Sequence, residues 1–380
     1  MKLTFVTNFV HHHQLPLADE FYRLLGESYH YVATQALPDW LIKGGYDPSL
    51  ERPYITRTYL SKEDMRMARN FIDESDVVIM GDAPSFWAKK RNAEGKVTFY
   101  CTERIYKKRI PWIKLPLHAY RYYKKYSQYK NTYLLCASAY AYSDFSLTRC
   151  FVGRAFKWGY MTKVNYKSKV EITRNKTSIS GIRTFMWCAR FLKWKHPELP
   201  IKLAARLKAK GYSFHIDMYG SGEEFESIKG MIQNMGVQDC VSLCGNLPNE
   251  MILREMKKHE IFLFTSDRNE GWGAVLNESM SCGCVPVACE AIGSVPYLIK
   301  DGVNGLKFKS CDIDSLEKVV CEILDNPSCI ERMSTEAFYT IYNIWSPRNA
   351  AYNFIDLAQH ILDNRLGEYN RCDGPASWEG

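Results

Sequence analysis

The chain has 380 residues, of which 46% are hydrophobic and 24% are charged. These values are ordinary for globular proteins, and the length predicts two domains or three. No stretch approaches the ~18–20 consecutive apolar residues that span a bilayer, and the apolar run after Met1 is too short for a signal peptide. We therefore expect a cytoplasmic protein.

The thirteen cysteines are scattered and form no Cys-x-x-Cys pair. This pattern favours free thiols in a reducing compartment. Cys282 and Cys284 are the closest pair, and no second pair completes a zinc site. We predict no metal site.

The net charge of +8 is unevenly distributed. Residues 1–165 hold 25 Lys and Arg against 15 Asp and Glu, whereas residues 166–380 hold 25 against 27. This asymmetry indicates that the first half meets an anionic surface.

The first half alternates between β-rich runs and helical patterns. Strands are predicted at 3–7, 29–34, 76–80, 96–101 and 132–136, and helices at 16–25, 61–74 and 138–150. Such alternation predicts an α/β domain, a parallel sheet with helices on both faces. We place this domain at residues 1–165.

The same pattern restarts after a polar stretch at about 159–181, which we interpret as the linker. Strands are predicted at 184–189, 213–219, 241–244, 261–264, 285–288 and 306–308, and helices at 199–210, 223–235, 248–258, 274–281 and 294–299. We place this second doubly wound domain at 166–345.

The last part of the chain, from about 313 to 366, has a helical pattern that Trp345-Ser346-Pro347 interrupts. Ser346 is predicted to cap a new helix with Pro347 at its first position. We expect the helix at 346–366 to cross back to the first domain and the polar tail at 367–380 to be frayed.

The strongest motif is Glu270-Gly271-Trp272-Gly273-Ala274-Val275-Leu276-Asn277-Glu278. Its glycines let the backbone approach a ligand, and the following helix would point N–H groups at an anion. Glu278 lies about two helical turns after Glu270, so both carboxylates can reach one pocket and bind sugar hydroxyls. The alternative is two ordinary acidic residues on a loop and a helix.

Further motifs follow in a fixed order. They are Cys282-Gly283-Cys284-Val285-Pro286 and then Asp301-Gly302-Val303-Asn304-Gly305. Together they resemble family 4 of the glycosyltransferases, with its Glu-x7-Glu motif, over about residues 183–325. The resemblance implies the GT-B fold, with two doubly wound, Rossmann-like domains facing one cleft. It also implies a retaining hexosyltransferase of bacterial polysaccharide or glycan biosynthesis. Such an enzyme uses a UDP- or GDP-sugar as donor substrate, with no cofactor and no metal.

The resemblance implies a role for each matching residue. Arg190 and Lys195 would bind the donor diphosphate, where two cations offset the charge of the leaving group. Glu270 would contact the transferred sugar, Glu278 the ribose hydroxyls, and the backbone of Gly271, Trp272, Gly273 and Ala274 the sugar or phosphates. The loop that contains Leu247 would hold the nucleotide base of the donor. Gly220 and Gly222 after another strand suit either phosphate binding or a strand-to-helix turn.

The first half departs from the family. The loop after its first strand holds His11-His12-His13 in place of glycines. Consecutive histidines point in different directions, so we favour a loop lining the ligand site over a metal site. Where many members carry a histidine, the chain reads Thr102-Glu103-Arg104. Glu103 either takes over that catalytic role or the role is absent.

Residues 104–133 hold nine Lys and Arg, eight Trp and Tyr, and no acidic residue. This basic aromatic segment suits an anionic membrane surface and a lipid-linked acceptor, which would place the protein at the inner face of the membrane. The alternatives are a helix whose aromatic face packs on its own domain and, with no motif to support it, nucleic-acid binding.

Two other functions compete with a transferase acting on a glycan or lipid-linked acceptor. A GT-B nucleotide-sugar epimerase would need no acceptor, and an inactive GT-B scaffold would keep the fold alone. A dinucleotide oxidoreductase is disfavoured because no Gly-x-Gly-x-x-Gly follows the first strand.

Overall fold

The computed structural model describes residues 1–10, 12–39, 42, 47–108, 110–164 and 181–379. The chain forms two compact units, one of residues 1–163 and 344–380 and the other of residues 164–343. Most of the predicted linker, residues 165–180, lies outside the described residues.

The first unit is built on a seven-stranded parallel sheet of order β3-β2-β1-β4-β5-β6-β7. Its first, second, fourth, fifth and sixth strands match the predicted runs, whereas β3 and β7 are three-residue strands that no pattern marked. The strands are Leu3–Thr7 (β1), Tyr29–Ala33 (β2), Ile55–Arg57 (β3), Val77–Met80 (β4), Val97–Thr102 (β5), Thr132–Cys136 (β6) and Ala155–Lys157 (β7).

Helices cover this sheet, and one of them comes from the far end of the chain. Phe21 and Phe354 meet edge to face at 5.6 Å between ring centroids and join the first helix to the last. The described α-helices are Leu15–Leu25, Lys62–Glu74, Lys89–Ala93, Leu115–Tyr122, Ala141–Ser146 and Pro347–Leu362. The helix predicted at 138–150 is therefore much shorter in the structure.

The second unit is a six-stranded parallel sheet of order β10-β9-β8-β11-β12-β13. Its strands are Arg183–Cys188 (β8), Phe214–Tyr219 (β9), Val241–Gly245 (β10), Ile261–Phe264 (β11), Val285–Cys289 (β12) and Leu306–Phe308 (β13). Its described α-helices are Glu198–Ala209, Phe225–Asn234, Asn249–Met256, Val275–Ser281, Val295–Leu298, Ile313–Asp325 and Ser328–Tyr339. The two doubly wound sheets confirm the predicted α/β fold class.

The helix Pro347–Leu362 begins as its sequence predicts. The Ser346 hydroxyl accepts a hydrogen bond from the Asn349 backbone N–H, and Pro347 occupies the first turn, where its missing N–H costs nothing. Trp345, just before the cap, is buried.

The prediction of a frayed tail at 367–380 is wrong. Lys157 donates its backbone N–H to Ser377 O at 2.8 Å, Glu379 donates to Ala155 O at 2.9 Å, and Phe156 faces Trp378 in an antiparallel bridge. β7 is the edge strand of its sheet, so its outer backbone groups need partners, and the tail supplies them. The polar composition of the tail did not indicate this pairing, because backbone N–H and C=O groups form it and not side chains.

We expect Trp378→Ala to destabilise the first unit by about 2 kcal/mol, because its half-buried indole packs on Phe156 with centroids 4.7 Å apart. Urea denaturation followed by circular dichroism measures the effect. Trp112→Ala is the matched control, since Trp112 is exposed and its loss should change stability by less than about 0.5 kcal/mol. Equal urea midpoints for both variants and the parent would show that the tail contributes no packing.

Candidate functional site

In the second unit, the loops that follow the adjacent strands β8 and β11 are tied together at the carboxyl edge of the sheet. Thr265, the first residue after β11, accepts a hydrogen bond from Trp187 Nε1 at 2.8 Å and donates to the Lys195 carbonyl at 2.7 Å. Ligands of doubly wound folds bind at this edge. The two loops carry Arg190, Lys195 and Glu270.

Lys195 and Glu270 form an ion pair in which the Lys195 ammonium donates to Glu270 Oε2. The same oxygen accepts a hydrogen bond from the Ser266 hydroxyl at 2.9 Å. Both charged side chains are close to nine-tenths buried, with 12% and 11% of their surfaces exposed. Burying two charges is costly unless they are paired and hydrogen-bonded, so the pair fixes the position of both groups.

Glu278 lies in the helix Val275–Ser281 and is buried. Its Oε1 accepts a hydrogen bond from Asn249 Nδ2 at 2.9 Å. Burial raises the pKa of the Cys188 thiol at the end of β8 to about 12; the negative charge of Glu278 contributes to this rise, and the positive charge of Lys195 opposes it. Both charges, of Glu278 and of Lys195, therefore act at the end of the same strand.

The segment between the two glutamates is held by its own core. The Trp272 indole is fully buried and donates to Asn277 Oδ1 at 2.9 Å. Gly273 has φ +84°, and a Cβ there would lie 2.4 Å from the Phe264 ring. Only glycine fits, so the backbone at residues 271–274 has a fixed course between the two carboxylates. Its predicted contact with sugar or phosphates stays a prediction.

Gly220 and Gly222 pack against the loop that carries Arg190. A Cβ on Gly220 would lie 1.9 Å from Ala189 O, and one on Gly222 would lie 2.5 Å from Phe191 O. Phe191 also donates its backbone N–H to Ser221 O at 2.9 Å. These glycines are thus required for close approach of two loops, which shapes the backbone on either side of Arg190.

The remaining predicted donor residues occupy neighbouring loops. Arg190 is exposed two residues after β8, and Leu247 is half-buried in the loop after β10. Gly220 donates its N–H to Gly245 O at 2.7 Å, which joins the loops after β9 and β10.

Sequence reasoning missed Ser266 and Asn249, the hydrogen-bond donors to the two glutamates. Ser266 is four residues before Glu270, within a turn that carried no motif of its own. Asn249 is 29 residues before Glu278, and only the fold brings them together.

In the first unit, Glu103 follows β5. Its carboxylate accepts from Lys107 Nζ at 2.8 Å and from the Tyr160 hydroxyl at 3.1 Å. Asp82 follows the adjacent β4. Desolvation of its carboxyl group, together with the charge of Glu103, raises the pKa of Asp82. The structure thus places two carboxylates at the carboxyl edge of this sheet.

The basic aromatic segment has two faces. His118, Tyr122 and Tyr126 pack inward, and Tyr126 contacts Phe145 and Phe151 of the core. Five large apolar side chains point outward, with 48% to 97% of their surfaces exposed: Trp112, Ile113, Leu117, Tyr120 and Tyr123. Arg109 lies outside the described residues. Packing on the domain therefore explains only one face of the segment.

Of the histidine triplet, His11 lies outside the described residues, and the rings of His12 and His13 lie 3.8 Å apart. Within the described ranges, no three His, Cys, Asp or Glu side chains are arranged to hold a metal ion. No helix among those described is long and apolar enough to cross a bilayer.

Known proteins resemble the part of the chain that holds these residues. Residues 169–338 match the family model described as "Glycosyl transferases group 1". This segment of the chain is therefore similar to group 1 glycosyl transferases, in agreement with the family resemblance of the sequence.

Curated relatives match less than half of the chain. Poly(glycerol-phosphate) alpha-glucosyltransferase of Bacillus subtilis is 31% identical over 123 residues, 32% of this chain and 18% of that protein. D-inositol 3-phosphate glycosyltransferase of Mycolicibacterium smegmatis is 26% identical over 180 residues, 47% of this chain and 38% of that protein. The chain spans well under half the length of these relatives.

Solved structures match both units. Anabaena Alr3699/HepE in complex with UDP has a TM-score of 0.67 at 13% identity, over 97% of this chain and all of that one. Sucrose-phosphate synthase from Thermosynechococcus elongatus has a TM-score of 0.66 at 12% identity, over 95% and 99% of the two chains. These likenesses confirm the GT-B fold.

Proposed function

We propose that this protein is a retaining glycosyltransferase that moves a sugar from a nucleoside-diphosphate sugar to a glycan or lipid-linked acceptor. The observation that carries the proposal is the buried ion pair of Lys195 with Glu270 at the carboxyl edge of the second sheet, beside buried Glu278. The group 1 family match over 169–338 supports the same reaction class.

Breaking the bond between sugar and diphosphate leaves negative charge on the departing phosphate. Lys195 and Arg190 would offset that charge. An ammonium has three N–H donors, so Lys195 can keep its bond to Glu270 while it binds a phosphate oxygen. The carboxylate thereby holds the ammonium in place before the donor arrives, which lowers the cost of organising the site.

The two glutamates would bind hydroxyl groups of the donor. Glu278 is held by Asn249 through one oxygen, and a carboxylate has further lone pairs for the ribose hydroxyls. Glu270 would contact the transferred sugar, and Leu247 would contact the uracil or guanine base of a UDP- or GDP-sugar. In the first unit, Glu103 is our candidate for the role that a histidine plays in many family members.

We expect calorimetric titration with UDP, GDP and ADP to show selective binding of one of them. Glu278→Gln should weaken that binding about ten- to a hundredfold, because the ribose hydroxyls lose a charged partner worth ~1.5–3 kcal/mol. Glu226→Gln, at an exposed acid of the same unit, is the matched control and should bind like the parent.

Two outcomes would contradict this account. Failure of the parent protein to bind any nucleoside diphosphate would favour an inactive scaffold. Equal affinity for Glu278→Gln and the parent would remove Glu278 from the ribose site.

The outward face of the basic aromatic segment supports an acceptor at an anionic membrane surface. Its exposed Trp112 and Ile113 precede the helix Leu115–Tyr122, and Lys114, Arg121 and Lys124 lie among the apolar side chains. Aromatic side chains suit the headgroup level of a bilayer, and nearby cations are attracted to anionic lipid. We propose that this face rests on such a surface.

Sedimentation with phosphatidylglycerol vesicles should retain the protein, and vesicles of phosphatidylcholine alone should not. Removing both apolar tips with Trp112→Ala/Ile113→Ser should weaken binding by at least about tenfold, because each side chain buries apolar surface worth ~1.5–3 kcal/mol. Tyr59→Ala/Leu60→Ser removes another exposed aromatic and aliphatic pair, with 41% and 66% of the residues' surfaces exposed, and should bind like the parent. Binding that salt does not weaken, or equal loss in both variants, would contradict the membrane proposal.

A further inference from the structure

Two residues of the second unit that are not glycine hold left-handed backbone conformations and face each other. His196 has φ +51° and Cys311 has φ +58°. Glycine is the default residue in this region of conformational space, and strained residues of other types cluster at functional sites. The chain instead places a thiol and an imidazole at these two positions, and their side chains meet.

The contact has the geometry of a nucleophile, a base and an orienting carboxylate. Cys311 Sγ lies 3.3 Å from His196 Nε2, and His196 Nδ1 lies 2.8 Å from Glu198 Oε1. The carboxylate accepts the Nδ1 proton, which leaves Nε2 to face the sulfur. Asp267 Oδ2 lies 3.5 Å from the same Nε2 and favours the charged imidazole once it has taken a proton. The hydrogen bond to Glu198 raises the pKa of His196.

Cys311 also differs from most other thiols of the chain in its access to solvent. It is exposed, whereas Cys188 is half-buried and Cys289 is buried, and burial raises the pKa values of these two thiols to about 12 and about 11. Cys372 is the other exposed cysteine, and in the described part of the structure no histidine lies within hydrogen-bonding distance of its sulfur. The pair of exposed cysteines thus offers a test and its own control.

We propose that Cys311 is a nucleophilic thiol, activated by His196 and Glu198, that accepts modification by a low-molecular-weight disulfide. This inference does not depend on sugar transfer. The cluster includes none of the proposed donor-binding residues, although His196 directly follows Lys195 in the chain.

The step is a thiol–disulfide exchange. His196 Nε2 takes the proton of the Cys311 thiol, and the thiolate attacks one sulfur of the incoming disulfide. The new bond joins Cys311 to that sulfur as the old sulfur–sulfur bond breaks. The departing thiolate takes the electron pair and then the proton from the imidazolium. Cys311 is oxidised and the departing sulfur is reduced, so no further oxidant is needed.

Exposure of the folded protein to glutathione disulfide at neutral pH, followed by peptide mass spectrometry over time, tests the proposal. We expect the mixed disulfide at Cys311 to form at least about tenfold faster than at Cys372. His196→Asn should reduce the Cys311 rate to that of Cys372, and asparagine tolerates the left-handed backbone better than most residues. Glu198→Gln should slow the same step while the imidazole stays in place.

The Cys372 rate in each variant reports on general unfolding, since a loosened chain would expose all thiols. Equal rates at Cys311 and Cys372 in the parent protein would overturn the proposal. An unchanged Cys311 rate in both His196→Asn and Glu198→Gln would overturn it as well.

Discussion

The candidate site depends on one interaction, the buried ion pair between Lys195 and Glu270. Each charge alone would be costly at that depth, so the two loops that carry them must meet. Thr265 and Ser266 complete the contact through hydrogen bonds to the Lys195 carbonyl and to the Glu270 carboxylate. A buried pair of this kind is weak evidence for stability, and its position at the carboxyl edge of a parallel sheet is better explained by a charged ligand.

Close backbone packing fixes the loops that carry the Lys195–Glu270 ion pair. Gly220 and Gly222 admit the loop around Arg190, and Gly273 admits the Phe264 ring beneath the motif. None of the three glycines needs to touch a ligand to be necessary, because a Cβ at each would collide with the loop or ring that positions a charged residue. The main role of these three glycines is therefore to allow the backbone to pass close to neighbouring loops and rings.

Much of the fold could be predicted from sequence because its signals are local. Continuous apolar runs predicted the long central strands, and the Ser346-Pro347 pair predicted the start of the last helix. The three-residue edge strands β3 and β7 have too few residues to show a pattern. The pairing of β7 with the tail around Trp378 could not be predicted, since backbone groups far apart in sequence make it.

Some residues of the candidate site could be predicted from the sequence, and others could not. Glu270 and Glu278 stand in one short motif, and Lys195 and Arg190 follow from resemblance to a known family. Ser266 and Asn249, which hold the two glutamates, carry no motif, and the meeting of His196 with Cys311 spans 115 residues. Contacts between distant loops exist only once the sheet has set the order of its strands.

A crystal structure with the nucleoside diphosphate that binds is the most direct test of the central claim. The account predicts phosphate oxygens at Lys195 and Arg190 and ribose hydroxyls at Glu278. A nucleotide bound elsewhere, or one bound with its ribose away from Glu278, would contradict it.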